Sequence, residues 1–318
     1  MAAAVDRRRF MHRGKTLVAL MLVSGSIFLA ACQSAATSAP SAAATAAPTA
    51  APTAAPETTF ARIKRDKVVT IGFINEPPYN FATSEKLTGA YPEALRAFFA
   101  SVDPEIKING VLTEFSALIP GLVAKRFDVN GGGMNIRAAR CEQIAFSNPE
   151  VQALEVFVVK KGNPKNLTTY KAVASSDAKY GAVTGGVEVE LADVAGIPKE
   201  RQVLFPDGPS MIAGLQAGRI DVLALTSLSA SDLIAKTNDP NLELVELAEI
   251  PVDSTGKQSI GFVAVGFRKE DTDLRDAYNA WQAKAKASGD LLKIMSPFGF
   301  AARDIAPADK TADAICKG

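Results

Sequence analysis

Four short stretches of the chain combine residue types that can hold a small charged molecule, and each follows an apolar run of strand length. Asn75-Glu76-Pro77-Pro78-Tyr79 presents a carboxylate and an aromatic ring together on a backbone stiffened by two prolines. Glu114-Phe115-Ser116 places Phe115 before a serine suited to cap the next helix. In Gly131-Gly132-Gly133-Met134-Asn135-Ile136-Arg137-Ala138-Ala139-Arg140 the glycines let the backbone approach a ligand closely. The arginines there offer a planar fork that binds a carboxylate through two parallel hydrogen bonds. Thr184-Gly185-Gly186-Val187 opens a helix, where free backbone amides make a carboxylate cradle. Each stretch also has a plainer reading: a rigid surface turn, a core phenylalanine, a solvated arginine, an ordinary glycine helix start. None matches G-x-G-x-x-G or G-x-x-x-x-G-K-[ST], so nucleotide binding gets no support.

The chemistry the chain lacks is equally informative. Among 318 residues, 35 Lys+Arg face 34 Asp+Glu and there is one histidine, His12. No net field recruits nucleic acid. Residues 1–31 hold Arg7, Arg8, Arg9, Arg13, Lys15 and Asp6, which leaves 30 basic and 33 acidic residues from Cys32 onward, a formal charge of −3. A mature chain beginning at Cys32 contains no histidine, which excludes Ser-His-Asp and Cys-His machinery, histidine metal sites and histidine acid-base catalysis. No catalytic residue, cofactor or metal is expected.

The leader has a basic start, then an apolar run from Thr16 to Ala31 broken by Ser24-Gly25-Ser26, then Leu29-Ala30-Ala31-Cys32. It is too short and interrupted for a permanent span and reads as an export signal over residues 1–31. Its last four residues resemble the lipobox of bacterial lipoproteins, which implies lipidation of Cys32; the plainer reading is an ordinary signal with an incidental cysteine. Arg7-Arg8-Arg9-Phe10 also resembles a twin-arginine signal. Residues 32–59 are almost entirely Ala, Thr, Ser and Pro, with APTAAP repeated, and read as a tether without a core.

The elements that must position the four stretches follow from patterning. Gly121-Leu-Val-Ala-Lys-Arg-Phe-Asp-Val129 and Gly214-Leu-Gln-Ala-Gly-Arg-Ile-Asp-Val222 share G-L-x-A-x-R-x-D-V. At that separation the repeat reads as two copies of one α/β unit rather than a solenoid. Strands are expected at 68–74, 106–112, 127–130, 179–183, 220–225 and 260–267, and helices at 91–99, 116–124, 187–195 and 274–287. Such alternation predicts mainly parallel sheets with ligands beyond the carboxyl ends of the strands, in two lobes facing a cleft. Cys141 and Cys316 are the remaining cysteines; in an exported protein they pair, or stay as two free buried thiols.

These residues carry a family resemblance. IGFINEPPY, LTGAYPEALRAF, TEFSALIPGLVAKRFDV, GMNIRAARCEQIAFSNP, GLQAGRIDV and GFRKEDTDLRDAYNAW together resemble an extracellular solute-binding protein of polar amino-acid-type ABC transporters, over Arg62 to Cys316. Within that family the likeness is greatest to ectoine/hydroxyectoine binders, through INEPPY, VLTEFSALIPGL, Arg140-Cys141, FPDGPS and FRKEDTDLRDA. The resemblance implies a two-lobe α/β periplasmic-binding-protein fold (type II) with two hinge crossings, near Ala153 to Val158 and Ser259 to Val263. Lobe 1 is expected at 60–155 with 262–318, and lobe 2 at 156–261.

The family's carboxylate-binding arginine matches Arg140, and the amides sharing that carboxylate match Gly186 and Val187. Amino-acid binders of the family carry an aspartate for the ligand ammonium where this chain has Thr226, which implies a zwitterion with delocalised positive charge. Ectoine or hydroxyectoine would set its carboxylate on Arg140 and its cation on Glu76, with aromatic faces from Tyr79 and Phe115. Met134, Asn135 and Gly185 complete the expected site. Asn135 replaces an aromatic, and Arg137 a threonine, which shifts preference toward hydroxyectoine or a more acidic or more polar solute. The implied protein is a lipid-anchored monomer at the outer face of the cytoplasmic membrane, delivering its solute to an ABC permease and not binding nucleic acid. The alternatives are a polar amino-acid binder of the same family and a cyclohexadienyl-dehydratase-like enzyme with Glu76 as proton donor. A sensory role would need a separate partner.

Overall fold

The computed structural model describes residues 57–84 and 86–317. The lipobox cysteine Cys32, the export signal and nearly all of the tether lie outside them. The tether was expected to reach residue 59, but Thr58 already caps a helix, its hydroxyl accepting the Ala61 N–H at 3.2 Å. That helix, α1 (Thr59–Asp66), buries Ile63.

The first lobe continues with β1 (Val68–Phe73), the short strands β2 (Phe81–Ala82) and β3 (Leu87–Thr88), α2 (Ala90–Val102) and β4 (Lys107–Leu112). After a 3-10 turn at Phe115–Ala117 come α3 (Leu118–Val123), β5 (Val129–Asn135), the single turn α4 (Ala138–Cys141), β6 (Ala145–Phe146) and β7 (Val151–Ala153). The second sheet is built from β8 (Glu155–Lys160), α5 (Tyr170–Ser175), β9 (Tyr180–Val183), α6 (Val187–Val194), β10 (Gln202–Phe205), α7 (Gly208–Gln216), β11 (Val222–Thr226), α8 (Ser227–Thr237) and β12 (Leu242–Glu246). The chain then rejoins the first sheet through β13 (Gly261–Phe267) and ends with α9 (Thr272–Ser288), α10 (Asp290–Met295) and α11 (Ala312–Lys317).

The first sheet has the order β4-β1-β5-β13-β6, the second β10-β9-β11-β8-β12. In each, three parallel strands are followed by an antiparallel one, β13 or β8. The two sheets are therefore the two-lobe α/β fold that the repeat implied. The chain passes from one sheet to the other at Leu154 and returns between Glu246 and Gly261.

The repeated motif does the same work twice. Asp128 accepts the Thr70 N–H at 2.9 Å, and Asp221 accepts the Lys179 N–H at 2.8 Å, so each aspartate ties its strand to the start of the neighbouring parallel strand. Arg126 and Arg219 each donate a backbone N–H to the motif's first glycine, Gly121 or Gly214, at 2.9 and 2.8 Å. Those glycines make room for a ring: a Cβ at Gly121 would lie 2.6 Å from Phe127, and one at Gly214 2.6 Å from Phe205. Two copies of this packing set the carboxyl ends of β1 and β5 opposite those of β9 and β11.

The C-terminal helices close the first lobe. Leu274, Tyr278, Gln282 and Ala285 form one face of α9 and are buried. Tyr278 meets Phe98 of α2 edge-on at 5.2 Å. Burying one such ring stabilises the lobe by about 1.5–3 kcal/mol. Cys141 and Cys316 form a disulfide with Cα atoms 5.8 Å apart, joining α4 to α11. Among the described residues, no helix is long and apolar enough to cross a membrane.

Candidate functional site

The loop after β1 is held by Asn80, which is fully buried. Its side-chain oxygen accepts the Ile74 N–H at 2.8 Å and its amide donates to the Gly132 carbonyl at 2.5 Å. Glu76 N–H donates to the Asn80 carbonyl at 2.8 Å, and Asn80 N–H to that of Glu76 at 3.1 Å. The Pro77-Pro78 peptide is cis. This tight loop presents Glu76 and Tyr79 to the cleft. Glu76 accepts a hydrogen bond from the Ser229 hydroxyl of α8 at 2.8 Å, bridging the two lobes. Burial pushes its carboxyl up to about 7, partly opposed by the Ser229 hydrogen bond. Tyr79 is buried edge-on against Phe300 at 5.3 Å.

Arg140 crosses the cleft from the opposite end. One terminal nitrogen donates to the Asn135 carbonyl at 2.7 Å, the other to the Gly185 carbonyl at 2.9 Å, and the guanidinium lies 5.2 Å from the Phe115 ring centroid. Phe115 thus offers its face to Arg140, whereas the sequence reading assigned it to the ligand cation. Burial draws the guanidinium down to about 10, the Glu188 charge opposing and Arg137 reinforcing the shift. It remains cationic at neutral pH.

Arg137 does different work. It donates to the Ser259 hydroxyl and lies 4.0 Å from Glu190 and 3.9 Å from Asp253, all on the second lobe or the returning crossing. It clamps the closed cleft rather than lying free beside a carboxylate.

Of the other expected residues, Asn135, Gly186, Val187 and Thr226 line a cavity of about 40 Å³ together with Glu76, Tyr79 and Phe115. Gly185 takes φ +80°, a left-handed conformation, and turns its carbonyl to Arg140. The Gly186 amide is already engaged with the Val183 carbonyl at 2.9 Å, which corrects its assignment as a free donor. Val187 opens α6, so its N–H has no intrahelical partner. Met134 is a second correction. Strand alternation sends Gly133 and Asn135 to the cleft and Met134 to the opposite face, where it packs in the core around Leu118 and Leu122.

Two functional candidates were missed. Glu188, in the first turn of α6, lines the same cavity and folds back so far that a Cβ at Gly186 would collide with its Oε2. Its place two residues after a glycine pair was the available signal. Glu155 pairs in register with Thr226 across β8 and β11 and is 5% exposed. No sequence signal marks it, because the strand pairing alone brings it there. The position lacking an aspartate therefore has a buried acid as its cross-strand neighbour. Burial raises both carboxyls, and each lies against the other. Tyr79 Oη, Asn135 Oδ1 and Thr226 Oγ1 are buried without a hydrogen-bond partner among the described residues.

The cleft opens past Glu76, Val183 and Leu225 into a groove of about 930 Å³, walled by Pro77 and Leu112 on one lobe and Ile212 and Leu233 on the other. Two opposed lobes, an arginine at one end of the cleft and a carboxylate at the other are the geometry of a solute trap. Residues 69–300 match the bacterial extracellular solute-binding proteins, family 3. The chain belongs to this family. It is 30% identical over 262 residues to a probable amino-acid ABC transporter periplasmic-binding protein of Sinorhizobium fredii, covering 81% of this chain and 86% of that one. It is 27% identical over 216 residues to the L-cystine-binding protein TcyJ of Escherichia coli, covering 68% and 76%. Among solved structures, EhuB in complex with hydroxyectoine is similar with a TM-score of 0.74 and 37% identity, covering 81% of this chain and 97% of that chain. An ancestral amino acid-binding protein described as a precursor of cyclohexadienyl dehydratase shares the fold, with a TM-score of 0.65 at 21% identity over 76% and 99% of the chains. As a member of family 3, the chain is a solute-binding protein of an amino-acid-type ABC importer.

Proposed function

We propose that the chain binds a small zwitterionic compatible solute, ectoine or hydroxyectoine, and delivers it to an ABC permease. The observation that carries this reading is the opposition of Arg140 and Glu76 across one small cleft, with the Tyr79 ring beside the carboxylate. A solute carboxylate takes over the Arg140 hydrogen bond now made to Gly185, and a delocalised cation takes over the Glu76 hydrogen bond now made to Ser229. Each exchange replaces a neutral partner of a buried ion with an opposite charge, so the solute substitutes for contacts that already draw the lobes together. The 37% identity to EhuB supports the same ligand class.

A second reading, a polar or cationic α-amino acid, is favoured by Glu155, a buried carboxyl paired across the strands with Thr226 and close to Glu188 and Glu76. A thermal-shift panel of compatible solutes and amino acids separates the two. A solute at a hundredfold excess over its Kd raises stability by about 2.7 kcal/mol. The largest shift is expected from hydroxyectoine or ectoine; a larger one from arginine, glutamine or cystine assigns the site to amino acids. Turnover of prephenate or arogenate in the same preparation would instead make Glu76 a proton donor.

The domain assignments complete the proposal: signal 1–31, lipidated Cys32, a tether through residue 57, lobe 1 at 58–154 with 261–318 and lobe 2 at 155–260. The protein works as a monomer on the outer face of the cytoplasmic membrane. Cys32→Ser is expected to abolish metabolic labelling with a fatty acid and release the protein from the membrane fraction; retention with full labelling would refute the anchor.

A further inference from the structure

We propose that Glu188 gates solute binding by its protonation: its carboxyl stands where Arg140 and the opening turn of α6 converge, and it admits a ligand carboxylate there only as the neutral acid, donating a hydrogen bond to it. This rests on the solute reading above, because it takes Arg140 as the carboxylate partner.

The geometry is specific to this residue. Glu188 is 6% exposed, lines the cleft beside Gly186 and Val187, and curls back over Gly186. It therefore fills the cradle that helix starts offer to an incoming carboxylate. Two carboxylates cannot share one buried cradle while both are ionised, as paired acids in enzyme sites show. One of them must carry a proton, and the ligand's own carboxylate, bound to Arg140, is the harder of the two to protonate.

The charged and titratable surroundings agree. From α4, Arg140 and Arg137 face Glu188; from β8, Glu155; from the loop after β1, Glu76; and from β9 and α5, Tyr180 and Tyr170. Three buried carboxyls thus meet two arginines, and Arg137 is already shared with Glu190 and Asp253. Desolvation raises the Glu188 carboxyl, opposed by a hydrogen bond from its own backbone N–H, by Arg140 and Arg137, and by a hydrogen bond from Glu155. A ligand carboxylate adds negative charge and raises it further, so binding takes up one proton from solvent wherever Glu188 is ionised beforehand. In the ligand-free pair Glu155 is the hydrogen-bond donor to Glu188, so the proton the ligand calls for on Glu188 is a second one, and the pair titrates as a unit.

The test is calorimetry on the full chain with hydroxyectoine, ectoine, arginine and glutamine as probes, from about pH 5 to about pH 9, in buffers of different ionisation enthalpy. Wild type is expected to take up about one proton per bound probe on the alkaline side, with Kd rising up to about tenfold per pH unit. Glu188→Gln keeps a hydrogen-bond donor without the charge. It is expected to bind with nearly pH-independent Kd and to exceed wild type at the alkaline end. Equal pH slopes in wild type and Glu188→Gln, or no proton uptake by wild type, would overturn the gate.

If no probe binds either protein, the solute reading fails, and a ligand-free arm still decides the protonation. A carboxyl raised in the folded state stabilises below its unfolded pKa and loses that stabilisation as pH rises through the folded one. Denaturant titrations of wild type should therefore lose stability with rising pH more steeply than those of Glu188→Gln. Identical slopes would show that Glu188 holds no proton in the fold.

Discussion

Arg140 and Arg137 lie three residues apart on one turn, yet the structure gives them different work, and truncating each separates the two roles. Arg140 bridges Asn135 and Gly185 at 2.7 and 2.9 Å, stacks on Phe115, and stays cationic although burial lowers it to about 10. Once a solute carboxylate replaces the Gly185 carbonyl, Arg140→Ala leaves that carboxylate buried beside Glu188 with no cation bonded to it. An uncompensated buried charge costs about 3–5 kcal/mol, or roughly 150- to 5,000-fold in Kd. Arg137 meets Glu190 and Asp253 only at 4.0 and 3.9 Å, and those partners are 34% and 18% exposed. Screened pairs of this kind contribute about 1 kcal/mol or less, so Arg137→Ala is expected to weaken binding by roughly fivefold. Because Arg137 clamps the closed lobes, that loss should appear in koff, with kon nearly unchanged. Surface plasmon resonance or stopped-flow on both variants, after circular dichroism confirms folding, reads both effects. A loss in Arg137→Ala that equals or exceeds that in Arg140→Ala would refute the division of labour and move the carboxylate to Arg137.

Three further outcomes follow from the fold. Replacing Cys141 and Cys316 by serine removes a cross-link spanning 175 residues, for which chain entropy alone gives about 5 kcal/mol; denaturant unfolding should show a loss of roughly 2–5 kcal/mol, and no loss would mean that α11 contributes nothing to global stability. Glu150, hydrogen-bonded by Ser147 at 3.1 Å and Gln282 at 2.6 Å, is pushed up to about 7 by burial, so its stabilisation is present below about pH 4.3 and lost as pH rises through about 7. Glu150→Gln should flatten that fall, worth on the order of 3 kcal/mol, and an unchanged pH-stability curve would contradict it. Asp128→Ala is expected to cost more than Asp221→Ala, about 2–3 against about 1 kcal/mol by chemical denaturation, because Asp128 also pairs with Arg62 at 2.5 Å and lies 3.8 Å from the buried Arg268, whereas Asp221 is 35% exposed; the reverse order would contradict the packing.

The fold was legible because its signals are local and doubled. G-L-x-A-x-R-x-D-V appears twice because each copy needs a glycine under a ring and an aspartate on a neighbouring strand's amide, and those needs are written in consecutive residues. The loop carrying Glu76 and Tyr79 and the arginine turn are legible for the same reason: prolines and glycines mark where the backbone turns. The helix at Thr59 escaped notice because it adjoins the Ala/Thr/Pro-rich stretch and buries chiefly Ile63. Glu155 and Glu188 were not legible as a pair, since Glu155 opens β8 and Glu188 lies in the first turn of α6, far apart in sequence and brought together only by the folding of the second lobe. Met134 was misplaced because a list of neighbours in a strand ignores that alternate side chains face opposite ways. Thr226 was read by what it lacks, and only the strand register showed that a buried acid, Glu155, lies across from it.

The most direct test is a crystal structure of residues 57–318 with the solute that gives the largest thermal shift. The solute is expected between the lobes, its carboxylate on Arg140 beside Glu188 and its cation on Glu76 against the Tyr79 ring, with the Arg140–Gly185 and Ser229–Glu76 hydrogen bonds exchanged for contacts to the ligand. A solute seated in the outer groove by Leu112 and Ile212, or one whose carboxylate lies away from Arg140, would contradict this placement.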